Sequence, residues 1–374
     1  MKKFLVTALS ALILIQSLSA LNWGGLLTNT SKVSTSEFKS FDFKQSNSLS
    51  LWASSSINKN LRFSTEGLFK YDLDVIGEGK NFTGIIDLTL LKLSGNWNVN
   101  NLSLALNAGR FAYSDLSSVV FAQTSDGLNF SLQNRSIKVG AYAGYTGLLN
   151  SLNVSMLDFI PEEPSKIYSL CPGYVPLILD FSFLNLSGNT LSLQAEYFIA
   201  TAEYIHNKFY AEFAANGMLG TMASYALSAV AGSENFSEYM LFGSGNVSLF
   251  LGQSLIANIG AEYASGNNGA LVPFRTVSSR TAYNGKMFSE TSGLILPQAS
   301  VLFVLNNMVL TLGEKVVLGI PENELSLNGF DTTLSFVCNV LSDLQVGCSV
   351  IGYADINNAA NSNYSFALNV SLAF

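Results

Sequence analysis

The last twelve residues of the chain, 363–374, alternate strictly between large apolar side chains and small or polar ones. An extended strand points successive side chains to opposite faces, so this segment has one apolar face and one wettable face. Twelve strand residues span roughly 40 Å, or about 30 Å along a membrane normal when tilted, enough to cross an apolar band of about 25 Å. The apolar face consists of Tyr364, Phe366, Leu368, Val370, Leu372 and Phe374.

The same period of two runs through 61–72, where one face carries Leu61, Phe63 and Phe69. The opposite face carries a row of charged side chains, and a charged row indicates a face in contact with water. We predict that this row lines the lumen of a barrel; it comprises Arg62, Glu66, Lys70 and Asp72.

The connections between predicted strands alternate in length. Short joints fall near 57–59, 96–100, 134–135, 187–190, 216–220, 252–254, 306–307 and 341–343. Long ones fall between them, at 72–83, 111–126, 146–176, 265–293 and 319–329. This sorting is typical of an all-β fold, a transmembrane antiparallel β-barrel with short periplasmic turns and long external loops.

The strand count is 18 if Ser36–Lys44 is a strand, and 16 if the first two candidates fail. A barrel of this size leaves an aqueous channel. The loop 265–293 then either folds into the lumen as a constriction or solvates an external surface. Its charged residues are Arg275, Arg280, Lys286 and Glu290.

Two uncharged stretches, Phe213–Gly232 and Gly293–Gly313, are long enough to span a bilayer as helices. Each contains turn-forming residues near its middle, such as Gly220 in the first and the pair Asn306-Asn307 in the second. We therefore predict that each is two strands joined by a short turn.

The N-terminus has a basic start, an apolar run over Phe4–Leu14 and small residues up to Ala20. This pattern predicts a cleaved secretory signal peptide over residues 1–20. Residues 21–46 are irregular, and we expect them to form either a first strand or a plug in the lumen. Residues 47–374 are predicted to form the barrel.

A terminal alternating strand that ends on Phe374 resembles the insertion signal of bacterial outer-membrane β-barrels. The resemblance implies an outer-membrane location, contact with the lipid bilayer and recognition by the barrel-assembly machinery. The segment Gly109–Asp115, followed by Gln123–Leu128, resembles a strand–loop–strand element of porin-like barrels from spirochaetes and related diderms.

Composition narrows the range of partners. Only 12% of residues are charged, and mean hydropathy is +0.31, yet the apolar residues are interleaved with small polar ones. The net charge of −7 argues against nucleic acid as a partner, because phosphate binding needs clustered Lys and Arg.

The sequence offers little for covalent or metal chemistry. Its single histidine, His206, is followed two residues later by Lys208 and preceded by Tyr204, so neither an outer-membrane phospholipase motif nor an omptin-type protease motif is present. We find no local metal-binding motif and no nucleotide cradle. The sequence therefore predicts no enzyme activity, no cofactor and no metal.

Cys338 and Cys348 lie symmetrically about Asp343, so a turn there would place them opposite each other on neighbouring strands. Two outcomes stay open, a cross-strand disulfide or two free thiols on the lipid face.

These observations favour a porin-like channel for passive diffusion of small hydrophilic solutes, as a monomer or a homo-trimer. Two alternatives remain: an adhesin or receptor that binds through its external loops, and a fatty-acid-type transporter with an N-terminal plug.

Overall fold

The computed structural model describes residues 21–36, 40–77, 79–146, 173–267, 269–278, 280–291, 293–321 and 324–374. The predicted signal peptide and most of the loop 146–176 lie outside the described residues. Within these ranges, no helix is both long and apolar enough to cross a bilayer.

The period-two segments form strands because alternation lets each strand bury its backbone in a ladder while its two faces meet different environments. Eighteen of the described strands form one sheet. Their bounds are β1 Asn22–Ser36, β2 Ser40–Ser56, β3 Leu61–Ile76, β4 Gly79–Val99, β5 Leu102–Ser114, β6 Ala122–Gln133, β7 Ile137–Tyr145, β8 Tyr174–Leu186, β9 Asn189–Ala200, β10 Lys208–Leu219, β11 Ala223–Glu234, β12 Glu238–Phe250, β13 Leu255–Ala264, β16 Leu294–Leu305, β17 Met308–Gly319, β18 Ser326–Asn339, β19 Leu344–Asp355 and β20 Asn363–Ala373.

A two-stranded hairpin, β14 Thr281–Tyr283 and β15 Lys286–Met287, lies in the connection between β13 and β16. It is followed by a short 3₁₀ helix, Phe288–Glu290, and a second such helix, Ala359–Asn361, precedes β20.

The sheet closes into a barrel. Every wall strand pairs antiparallel with its neighbour in sequence, and β1 pairs with both β2 and β20. Leu27 lies opposite Leu372, and Val33 lies opposite Phe366. Because β1 is paired along both of its edges, the sheet is closed. The barrel therefore has 18 strands, the upper limit of the predicted range.

Residues 22–36 therefore belong to the wall, the first of the two possibilities that the sequence left open for 21–46, and they form no plug. The predicted strand Ser36–Lys44 is wrong in its bounds, because β1 ends at Ser36 and β2 begins at Ser40. The irregular pattern has a physical reason: β1 and β2 carry Asn29 and Asn47 on the same face as Leu27, where the other strands are apolar.

Each periplasmic turn contains two to four residues. The first of these turns joins β2 to β3, and the last joins β18 to β19. Residues with positive φ occur in several of them, including Asn100, Gly188, Gly220 and Asn306, which is the backbone geometry of tight hairpins. The two uncharged stretches turn at 220–222 and 306–307, so they are strand pairs, as predicted.

One predicted external loop, 72–83, is wrong. The strand β3 continues to Ile76 and β4 begins at Gly79, and these two residues pair with each other in the ladder. Alternation there is interrupted by charged residues that still pair across the ladder, such as Asp74 opposite Asn81, so composition alone indicated a loop.

Candidate channel constriction

A segment between β5 and β6, residues 115–121, leaves the wall and contacts the lumen face of β9 and β10; we name it the constriction segment. Leu116 N donates to Gln194 Oε1 of β9 at 2.9 Å. Ser117 N and Ser117 Oγ donate to the two carboxylate oxygens of Glu212 in β10, each at 3.0 Å. Gln194 and Glu212 alternate with the exposed Leu193 and Phe213 along their strands, so the contact lies on the lumen face.

Asp115 holds the constriction segment in shape. Its carboxylate accepts hydrogen bonds from Val119 N at 3.1 Å and from Phe121 N. The side chain is 5% exposed, and burial raises the pKa of Asp115 above its usual value although these hydrogen bonds oppose the shift.

The connection 265–293, which we name the lid segment, packs against the constriction segment. Val277 N and Ser278 N donate to Val120 O at 2.8 and 3.0 Å, and Ala122 N donates to Ser278 Oγ at 2.7 Å. Lys315 Nζ of β17 donates to Ala282 O at 3.3 Å, so the lid segment also contacts the lumen face of the wall strand next to β16.

The four lid charges singled out from sequence fall into two groups. Arg275 Nη1 lies 2.8 Å from Glu234 Oε2, and Arg280 Nη2 lies 3.1 Å from Glu262 Oε1. Both partners are wall residues, at the end of β11 and in β13. Lys286 Nζ lies 5.8 Å from the Tyr283 ring centre, and Glu290 Oε2 accepts from Met287 N at 2.8 Å, both within the lid segment itself.

The charged row of β3 lies on the face opposite the exposed Phe69. Arg62 Nη2 donates to Ser54 Oγ at 2.7 Å, and Lys70 Nζ lies 2.9 Å from Asp72 Oδ2. Glu66 lies opposite Trp52 and Leu90 in the ladder. The four residues thus share one face of the wall, far in sequence from the lid segment.

An apolar cluster occupies the external part of the lumen, a feature that the sequence analysis did not anticipate. The two inward segments contribute Phe121, Phe274 and Phe288, each at most 1% exposed, and wall strands contribute Phe198 and Phe242. The rings pack at centre distances of 5.2 to 6.2 Å, the shortest between Phe242 and Phe274. Burial of this cluster holds both segments inside the barrel.

A polar cavity of about 470 Å³ remains beside these segments, along β12, β13 and β16 to β18. Inward amide, hydroxyl and charged side chains line it: Asn246, Asn258, Gln298, Ser300, Lys315, Asp331 and Thr333. The free space is therefore lined by groups that water can wet.

Three carboxylates meet where the constriction segment contacts β9 and β10: Asp115, Glu196 and Glu212, with one oxygen of each within 4.8 Å of the others. The sequence does not reveal this group through a local motif, because its members lie far apart in the chain. A usable signal did exist: Glu196 and Glu212 share the face of their strands opposite the apolar residues Leu193 and Phe213, which indicates a lumen-facing position.

The remaining candidates lie apart from the constriction. His206 Nδ1 lies 3.0 Å from Asn235 Nδ2 in exposed connections. Cys338 lies opposite Val346 and Cys348 opposite Phe336, so the predicted face-to-face arrangement of the cysteines is wrong by two residues. Both thiols are free in this register. The turn is centred one residue before Asp343, at 342, which accounts for the offset.

The apolar residues of the terminal strand point outward, with Phe366 49% exposed and Leu368 40% exposed. Asn369, on the other face, accepts from Thr30 Oγ1 of β1 at 2.8 Å. The predicted alternation of faces therefore describes this strand correctly.

No family model matches the chain, and no curated protein sequence matches it. Solved structures from Pseudomonas aeruginosa do. OccK9 (OpdG) has a TM-score of 0.65 at 11% identity and covers 96% of this chain and 99% of its own. The outer membrane protein OprD has a TM-score of 0.61 at 12% identity, covering 95% and 93%. OpdK with vanillate has a TM-score of 0.61 at 11% identity, covering 94% and 98%. In fold, the chain is a porin-like antiparallel β-barrel of the outer-membrane type.

Proposed function

We propose that this protein is a channel for passive diffusion of small hydrophilic solutes across a bacterial outer membrane, without covalent chemistry. The observation that carries the proposal is the pair of external connections folded into an 18-stranded barrel beside a polar cavity. Such an arrangement narrows an aqueous path without filling it. OpdK, a barrel of the same fold solved with vanillate, supports a small solute.

Charges at the narrow region would tune which solutes pass, because charged side chains at a constriction set ion preference. Arg280 and Glu262 form one pair there, and Lys315 and Asp331 lie in neighbouring positions of the cavity wall. The charged row of β3 adds Arg62, Glu66, Lys70 and Asp72 to the wall that we propose to line the path.

Single-channel recording in a planar bilayer tests the proposal. Refolded protein should give stable open steps, and Arg280→Ala should change step size or ion preference. Arg135→Ala, in an exposed periplasmic turn, is the matched control and should conduct like the wild type. Correctly folded barrels that never conduct would refute the channel function.

The two alternative functions fit less well. A fatty-acid-type transporter was expected to use residues 21–46 as a plug, but 22–36 are wall strand β1. An adhesin was expected to bind through projecting loops, whereas the lid segment is directed inward and its aromatic residues are buried.

We also propose a homo-trimer, packed on the outer face of β1 and β2. Asn29 Nδ2 donates to Asn47 Oδ1 at 2.6 Å, and Ser31 and Gln45 adjoin them on the face of Leu27. Polar groups in contact with lipid are costly, and a subunit interface would cover them. Chemical cross-linking should give a trimer that Asn29→Leu weakens; a wild type that stays monomeric in detergent and in membranes would refute it.

Insertion would depend on the barrel-assembly machinery acting on the terminal strand.

A further inference from the structure

The three carboxylates at the contact between the constriction segment and the wall form a buried cluster. Within the part of the chain that the structure describes, no positive side chain balances their negative charge. Asp115, Glu196 and Glu212 are 5%, 0% and 3% exposed. Among the ion pairs of the described residues, none includes any of the three. Lys208, on the same strand as Glu212, lies 3.4 Å from Glu234 instead. Uncompensated buried charges are strongly unfavourable.

Glu196 is the decisive residue. Both of its carboxylate oxygens are buried and have no hydrogen-bond partner. Its neighbours across the ladder are Ile178 and Tyr210, which are 1% and 0% exposed and offer its charge no balance. A fully buried carboxylate with four unused lone-pair positions, directed at two other carboxylates, needs either a bound cation or a proton.

We propose that Asp115, Glu196 and Glu212 bind a calcium ion, which fastens the constriction segment to the wall strands β9 and β10. The ligand type fits, because hard divalent cations take carboxylate oxygens. The spacing fits as well: the three oxygens lie within 4.8 Å of one another, and two ligands on opposite sides of Ca²⁺ at about 2.4 Å would be separated by about that distance.

Calcium is favoured over magnesium by the origin of the ligands. One carboxylate comes from a loop and two from neighbouring strands, and Asp115 and Glu212 already accept hydrogen bonds from the constriction segment. Such a site has uneven geometry, which Ca²⁺ tolerates and Mg²⁺, with its demand for near-ideal octahedral coordination, does not. Ser117 Oγ, bonded to Glu212, is a further oxygen beside the site.

Terbium luminescence on the refolded full-length barrel provides a test that does not depend on conductance. Tb³⁺ occupies calcium sites and is excited through nearby tyrosines, and Tyr210 lies opposite Glu196. Protein stripped with EDTA should show sensitised Tb³⁺ emission that Ca²⁺ displaces at roughly 0.1–1 mM, the range of extracellular calcium sites. Glu196→Gln should weaken Ca²⁺ binding by at least about tenfold, because the charge of the ligands sets affinity.

Glu203→Gln is the matched control, since Glu203 is an exposed carboxylate in the connection between the same two strands. It should bind like the wild type. Wild-type protein that fails to bind Ca²⁺ at 10-fold above the expected range would overturn the proposal and indicate that the cluster holds protons. Equal binding by wild type and Glu196→Gln would also overturn it.

Heat stability supplies an independent readout. In EDTA, Glu196→Gln should unfold at a higher temperature than wild type, because it removes one of three repelling charges. In Ca²⁺ the order should reverse, because only the wild type gains stability from the ion. An order that does not reverse would contradict a calcium site. If Glu196→Gln does not fold, Glu212→Gln replaces it in both measurements. A barrel that binds Ca²⁺ but never conducts would refute only the proposed function.

Discussion

At the scale of single residues, the terminal strand places adjacent side chains in lipid and in the lumen. Leu368 and Asn369 are adjacent, yet Leu368 is 40% exposed on the outer face and Asn369 bonds to Thr30 on the inner face. Strict alternation was sufficient to assign them. Glu196 and Glu212 could have been assigned to the lumen by the same reasoning, but their meeting with Asp115 depends on the path of a loop.

Leu368→Lys should impair folding far more than Asn369→Lys. A lysine on the lipid face near the middle of a strand costs about 2–4 kcal/mol, while a lysine in the lumen keeps its water. Leu368 lies opposite Cys348 and Ser31 in the ladder, away from both strand ends. The measurement is the folded fraction after refolding into liposomes, read from heat-modifiable gel mobility. Equal losses for the two variants would mean that the faces are assigned wrongly.

Gly109→Ala should destabilise the barrel, because Gly109 has a φ of +113° and an added Cβ would lie 2.1 Å from Leu91 O. Backbone strain of this kind costs about 1–3 kcal/mol. Gly84→Ala is the control, since Gly84 has no heavy atom within 4 Å of an added Cβ. Denaturant unfolding should show the loss for the first variant and little change for the second; similar midpoints would contradict the observed approach of β4 and β5.

At the scale of elements, strands were predictable and inward loops were not. A strand shows its two environments in a local pattern, and the terminal strand was predicted within one residue. The pattern did not place β1, it set the predicted strand Ser36–Lys44 across two strands, and charged residues concealed the extension of β3 to Ile76 and of β4 to Gly79. The lid segment has no such pattern. Its position depends on contacts with residues more than 150 positions away, such as Val277 with Val120, so both an inward and an external path stayed open.

Phe288→Ala should loosen the lid segment while leaving the wall intact. Phe288 is 1% exposed and packs 5.7 Å from Phe242 and 6.2 Å from Phe274, with Arg280 5.9 Å from its ring centre. Removing a buried phenylalanine costs about 3–5 kcal/mol, and here the loss destabilises the lid segment rather than the wall ladder. Trypsin should then cleave the folded barrel faster after Arg280 and Lys286.

The matched control for the lid is Phe236→Ala, an exposed phenylalanine in the connection between β11 and β12. It should leave the rate of tryptic cleavage in the lid segment unchanged. If Phe288→Ala is cleaved no faster than this control, the apolar cluster is not what holds the lid segment inside the barrel.

At the scale of the whole molecule, closure is the property that the sequence left open. The count of 16 to 18 depended on the irregular N-terminal residues, and their pattern is irregular because Asn29, Ser31, Gln45 and Asn47 occupy the outer face. The strand pairing determines the count that the hydrophobic pattern left open. The strand β1 pairs along its length with β2 and over eleven positions with β20. A strand without its partner would leave two open edges in the membrane, which lipid cannot satisfy.

Deleting residues 22–36 should therefore abolish the folded barrel, since β2 and β20 would both lose their partner. A plug could be deleted without this effect, because the wall would remain closed. Excision of 282–287, within the hairpin of the lid segment, is the matched control and should still give a heat-modifiable barrel, because β14 and β15 form ladder bonds with each other and not with a wall strand. If the barrel without 22–36 refolds and shifts on heating like the wild type, then β2 and β20 can close the wall directly, and the first strand is dispensable to the architecture.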